Sequence, residues 1–138
     1  DTVICFNVLE HIEKDALALK NMVDGIAPGG YICLILPAFR WLYGTLDELA
    51  GHYRRYDKNE ITRLIGTLEV DIKKYHYFNL LGAVGWFIKG RIFKQKFHTD
   101  SNFNWMNKIL PMMSGLERHF KPCFGLSVIL VMQKKGSG

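Results

Sequence analysis

Between Thr2 and Leu36 the hydrophobic pattern changes period twice, and that change limits the fold more than any other feature of the chain. Thr2 to Phe6 is a short β-branched and aromatic run, the pattern of a strand packed on both faces. From Ile12 the apolar positions step by four and three through Ala16, Leu19, Val23 and Ile26, with Lys14, Lys20, Asn21 and Asp24 on the other side. That is one apolar stripe of a helix. Pro28-Gly29-Gly30 stops it, and Tyr31 to Leu36 is a second unbroken apolar run. Strand, helix and strand in this spacing form a βαβ unit with parallel strands. The fold class is α/β.

Beyond Pro37 the character shifts. Ala38 to Tyr56 is polar, aromatic-rich and irregular, longer than a plain connector. Long loops past the carboxyl end of a parallel strand are where ligands bind. Asp57 and Glu60 have capping-box spacing, and Ile61, Leu64, Ile65 and Leu68 give the buried face of the helix that follows. Val70 to Tyr77 reads as a strand, Phe78 to Phe97 and Trp105 to Phe120 as helices, and Ser127 to Gln133 as a last strand. The expected organisation is one domain over residues 1–135, with an insert at 38–68 and a helical, cap-like segment at 78–120. Gly136-Ser137-Gly138 has the composition of an appended linker.

Composition excludes several classes. The chain has 138 residues, 49% of them hydrophobic, which suits a packed domain rather than a disordered one. No apolar run is long enough to span a bilayer; Tyr77 to Ile88 is short and is interrupted by Asn79, Gly82 and Gly85. Asp1 opens a strand, not a signal peptide. Cys5, Cys33 and Cys123 lack metal-ligand spacing, and the first two sit in strands as small buried thiols. A reducing, cytoplasmic compartment is expected. The net charge of +5 is scattered, whereas a nucleic-acid binder gathers its cations into a stripe.

The segments Asp1 to Ile12 (DTVICFNVLEHI) and Pro28 to Pro37 (PGGYICLILP), in this order and spacing, resemble the middle of a class I S-adenosylmethionine (SAM) methyltransferase of the small-molecule type 11/12 kind. Gly51 to Tyr56 (GHYRRY), Asn79 to Gly82 with Trp86, and Leu116-Glu117 with Phe124 to Ser127 resemble a branch encoded near sugar- and lipid-modifying enzymes. The resemblance implies a Rossmann-like fold with sheet order 3-2-1-4-5-7-6 and an antiparallel last strand, of which this chain holds strands 4-5-7-6. It further implies SAM as cofactor and a small-molecule acceptor, such as a glycan or lipid precursor. The family's glycine-rich loop, and its acidic and polar cofactor contacts after the second and third strands, have no matching positions here. The expectation is therefore a methyltransferase whose 138-residue chain is inactive alone. The competing expectation is a non-catalytic interaction module that forms a homo-oligomer through the open, apolar edge of its first strand.

Methyl transfer from a sulfonium is an in-line displacement, and holding donor and acceptor in line supplies most of the catalysis. Aromatic faces or oxygens near the cation help, as does a base for the acceptor proton. The resemblance sets Asn7, Val8 and Leu9 against SAM; alternatively Asn7 caps the next helix. Glu10-His11 match a signature that, in some quinone-pathway O-methyltransferases, helps bind a divalent metal with a carboxylate three residues earlier. Asn7 occupies that earlier position, so no metal is expected. Glu10 is then a hydrogen-bonding corner residue, and His11 either shares that role or faces the acceptor. His52 is the base candidate because an imidazole titrates near neutrality, unless Gly51-His52-Tyr53 only anchors the loop. Arg54 and Arg55 suit a phosphate or carboxylate held by forked hydrogen bonds, or one of them pairs with Asp47 or Glu48. Tyr43, Tyr53 and Tyr56 either wall an acceptor pocket or pack on the scaffold. His76, His98 and His119 have no evident partners. Phe78, Leu81, Val84, Trp86 and Phe87 read as core or as a dimer face, with a lid as the alternative.

Overall fold

The computed structural model describes residues 1–88, 90 and 122–136. Strand β1 (Thr2–Phe6) leads through a 3-10 turn at Leu9–His11 into helix α1 (Asp15–Asp24) and strand β2 (Tyr31–Pro37). The two strands are parallel, with Val3 opposite Ile32 and Cys5 opposite Leu34. Gly30 makes the return possible: a Cβ there would lie 2.9 Å from the Ala27 oxygen and 3.1 Å from that of Asp1. Tyr31 then donates to the Asp1 carbonyl at 2.9 Å and the ladder begins.

Strand β3 (Val70–Phe78) and strand β4 (Ser127–Lys134) complete a four-stranded sheet in the order β1-β2-β4-β3. Strand β4 lies between β2 and β3 and is antiparallel to both. Side chains alternate across it, so Val128, Leu130 and Met132 are fully buried opposite Leu36, Leu34 and Ile32. Leu19, Val23 and Ile26 from α1 and its end, with Ile61 and Ile65 of helix α3 (Lys58–Ile65), join them in one core. Each fully buried leucine or isoleucine contributes roughly 2 kcal/mol by its removal from water.

Among the described residues, one sheet face is used this way. Ile4 and Phe6, on the other face, are 65% and 47% exposed. The expected two-sided packing of β1 is thus corrected among the described residues. Ala16 is also exposed rather than part of the core stripe. The helix starts only at Asp15, so Ala16 lies in its first turn, and Leu9 of the preceding 3-10 turn is fully buried.

The insert is more regular than its composition suggests. It contains a 3-10 turn at Arg40–Leu42 and helix α2 (Thr45–Ala50), with Leu42 and Leu46 buried beneath it. Its ends are clipped together: Tyr56 N donates to Pro37 O at 2.8 Å, and Phe39 N to Tyr56 O at 3.1 Å. Before α3, the Glu60 carboxylate accepts from Asp57 N, while Asp57 turns its own carboxylate to Arg40 N, each at 3.1 Å.

Phe78 ends β3 rather than opening a helix. Helix α4 (Leu80–Phe87) starts behind Asn79, which adopts a left-handed φ of 62° and caps Gly82 N through Oδ1 at 2.8 Å. Leu81 and Val84 are 45% and 47% exposed, which corrects the core reading for both, whereas Ala83 is fully buried. The expected helices beyond residue 90, with His98, His119 and Leu116-Glu117, lie outside the described residues. No described helix is long and apolar enough to cross a membrane.

Candidate functional site

At the carboxyl end of β1 the chain turns sharply. Asn7 donates its N–H to Ile35 O at 3.0 Å, one rung past the β1–β2 ladder, and takes a left-handed φ of 51°. Asparagine tolerates that conformation better than most residues. Its side chain does not cap the following turn, whose first residue lacks any side-chain cap. Asn7 and Val8 are exposed and Leu9 is buried, so the three expected cofactor residues present two accessible side chains and one anchor.

Glu10 follows at 1% exposure. Its backbone carbonyl accepts from Tyr53 N at 2.9 Å. One residue on, His11 Nδ1 lies 3.2 Å from the carbonyl oxygen of Gly51. Two hydrogen bonds therefore sew the Glu10-His11 corner to residues 51–53, about forty positions later in the chain. Gly51, at φ 75°, ends α2 in a left-handed turn that lets its carbonyl reach His11.

Inside the insert, Asp47 is the fixed point. It is fully buried, and its four acceptor positions meet four donors. Oδ1 takes Arg55 Nε at 2.7 Å and His52 Nδ1 at 2.9 Å. Oδ2 takes Trp86 Nε1 at 3.0 Å and Gly44 N at 3.1 Å. Burial works against the Asp47 carboxylate, but the hydrogen bonds from His52 and Arg55, the Arg55 charge and the Trp86 N–H outweigh it and hold its pKa below the usual range. Arg55 also donates to Ala38 O at 3.1 Å and stacks its guanidinium 5.0 Å from the Trp86 ring centre.

His52 is held by three contacts. Its N–H donates to Asp47 O at 2.9 Å, its carbonyl accepts from Tyr43 Oη at 2.8 Å, and its Nδ1 faces the ionised Asp47. A carboxylate only accepts, so Nδ1 carries a hydrogen and Nε2 is the ring nitrogen left open. Nε2 lies 3.9 Å from Glu10 Oε1, and the His11 and His52 rings meet edge to face at 4.7 Å. The corner and the insert thus bring Glu10, His11 and His52 together, each offering a ligand atom within 4.8 Å of the others.

Glu10 does not play the expected hydrogen-bonding role through its side chain. Its Oε2 is buried with no partner among the described residues. Burial pushes its pKa up, an effect that its own backbone N–H and the neighbouring His52, His11 and Arg55 offset only in part. The corner is fixed instead by the backbone carbonyl of Glu10, which accepts from Tyr53 N.

Of the two roles open to the arginine pair, Arg55 takes the internal one with Asp47. Arg54 reaches α1, with Nη1 2.7 Å from Asp15 Oδ1 and Nη2 donating to Glu13 O at 2.7 Å. Arg54 and Arg55 nevertheless line an open hollow of about 380 Å³ together with Arg40, Tyr43 and Tyr53. Tyr56 is withdrawn from it, buried with its hydroxyl donating to Asp15 Oδ2 at 3.1 Å. Trp41 and Phe39 pack instead against Phe124, at 5.6 and 4.8 Å between ring centres. His76 sits within β3, opposite Ile129.

No family model matches the chain, and no curated protein sequence matches it. Its fold has a solved counterpart. A Bacillus halodurans protein described as a "putative methyltransferase" matches 98% of this chain with a TM-score of 0.59 at 13% identity. The fold is methyltransferase-like. This chain spans 64% of the length of that structure.

In that methyltransferase-like fold, the residues that sequence reasoning missed are Asp47, as the orienting partner of His52, together with Arg40 and the Trp86 N–H. Asp47 entered only as a possible arginine partner. Its spacing to His52 carries no signal unless α2 is known to be a helix.

Proposed function

We propose that the protein is a SAM-dependent methyltransferase acting on a small molecule, and that these residues supply its acceptor side. The observation that carries the reading is the oriented His52 beside the corner that follows β1. Nδ1 is anchored on Asp47 and Nε2 is turned toward Glu10 and His11. A positioned imidazole of this kind takes a proton from an acceptor as it attacks the donor methyl. His11 stands next to it, Asn7 to Leu9 pack the methionine end of SAM, and the hollow of Tyr43, Tyr53, Arg40 and Arg54 admits the acceptor. The methyltransferase-like fold supports the choice of reaction. The strand order β1-β2-β4-β3, with β4 antiparallel, supports reading these strands as the fourth, fifth, seventh and sixth of a SAM-binding sheet.

Calorimetric titration of SAM into the full-length protein tests the proposal. Saturable micromolar binding is expected, with little or none to the 138-residue chain by itself. A full-length protein that does not bind SAM at millimolar concentration overturns it.

One observation favours the second reading, an interaction module. Strand β1 has no partner on its outer side among the described residues, and Ile4 and Phe6 are exposed beside that edge. Such an edge invites strand pairing with another molecule. Sedimentation of the chain distinguishes the two: a monomer at high concentration removes the second reading.

A further inference from the structure

We propose that Glu10, His11 and His52 form a binding site for one divalent first-row transition cation of the zinc type. The inference concerns binding and stands apart from methyl transfer.

The case begins with which ring nitrogens are free. His11 Nδ1 faces a backbone carbonyl, and His52 Nδ1 faces a carboxylate. Both partners only accept, so both Nδ1 atoms carry hydrogen, and Nε2 is the ring nitrogen each histidine has left to offer an ion. Histidines that bind metals are oriented this way, the far nitrogen donating to a carbonyl or carboxylate that fixes the tautomer. Here the Gly51 carbonyl and Asp47 hold those second positions.

The third donor is Glu10, and its condition is the independent observation. A carboxylate with 1% exposure and an unpartnered oxygen is costly to keep. Arg55 is already paired with Asp47 at 2.7 Å. Glu10 Oε1 stands 3.9 Å from His52 Nε2, beyond hydrogen-bond reach. A cation between them satisfies both.

Two imidazole nitrogens and one carboxylate suit zinc and its first-row neighbours, whereas magnesium and calcium prefer all-oxygen shells. Ligand atoms about 2.1 Å from a tetrahedral ion stand about 3.4 Å apart. The three donors here lie within 4.8 Å, so closure asks for a movement of about 1 Å. His11 is exposed and sits at the end of a short turn, so its ring is free to supply that movement. A fourth position stays open to water or to an acceptor oxygen, whose pKa a bound cation lowers.

Zinc chloride titrated calorimetrically into chelator-treated protein tests the site, with cobalt absorption reporting coordination geometry. The expected result is one equivalent bound, weakened about tenfold or more in His11→Ala and in Glu10→Gln. His11→Ala removes an exposed side chain, and an unchanged melting curve confirms its fold. No saturable binding up to millimolar zinc overturns the proposal. So does binding that His11→Ala leaves unchanged, which would place the ion on other histidines. SAM binding is a separate titration, so failure of either reading is recognised by itself.

Discussion

The His52 ring donates from Nδ1 to Asp47 Oδ1 at 2.9 Å, and the same oxygen accepts from Arg55 Nε at 2.7 Å. One buried carboxylate therefore both balances a buried cation and aims an imidazole. The stability of the insert and the orientation of its histidine are coupled through that atom.

Asp47→Ala leaves the Arg55 guanidinium buried without its counter-charge. The expected loss is about 3–5 kcal/mol, measured by urea denaturation. Trp86→Phe removes only the N–H donor to Oδ2 and keeps a ring over Arg55, so about 1 kcal/mol is expected. Equal losses in the two variants would contradict Asp47 as the shared anchor.

Gly51 matters for geometry more than for space. At φ 75° any side chain is strained, and a Cβ there would come within 3.9 Å of His11 Nδ1. Gly51→Ala is expected to cost about 1 kcal/mol. It should also loosen the bond from His11 to the Gly51 carbonyl. Nitrogen NMR of the His11 ring reads this directly: the wild type shows one tautomer and the variant a mixture.

Alkaline conditions probe the sheet. Tyr75 Oη and Tyr77 Oη lie 2.8 Å apart, and burial, followed by this hydrogen bond, lifts the Tyr75 pKa well above its ordinary 10.0. The unfolded chain therefore loses that proton first. Below pH 10 the group contributes no pH dependence; above it, stability falls as pH rises toward the folded value. Tyr75→Phe is expected to flatten this decline in melting temperature between about pH 10 and 11.5, where the unfolded phenol ionises first. An equally steep decline in the variant would assign the effect elsewhere.

Much of the scaffold could be read directly from residue order. Strands β1, β2 and β4 are continuous apolar runs, and α3 has Ile61 and Ile65 one turn apart behind an Asp57/Glu60 start. Helix α2 was hidden because its six residues hold one buried leucine among polar neighbours, too short for a period to show. The site was half visible. His11, His52 and the arginine pair stand out by type, yet their partners are set by a fold that joins residues 10 and 11 to residues 51–53. Glu10 reads in sequence as a corner residue held by hydrogen bonds; the fold buries it at 1% exposure and leaves its Oε2 without a partner among the described residues.

The place of β4 has a consequence for how the molecule is made. Leu34 of β2 pairs with Leu130, and Tyr75 of β3 pairs with that same residue from the other side. A ribosome delivers β2 and β3 long before the strand that separates them. In the interval both present unpaired edges, and the segment between β2 and β4 is about ninety residues long. The βαβ unit can settle early from local contacts, while the centre of the sheet waits for β4. Nascent chains stalled before Ser127 should therefore hold a helper protein that chains extended past Lys134 release.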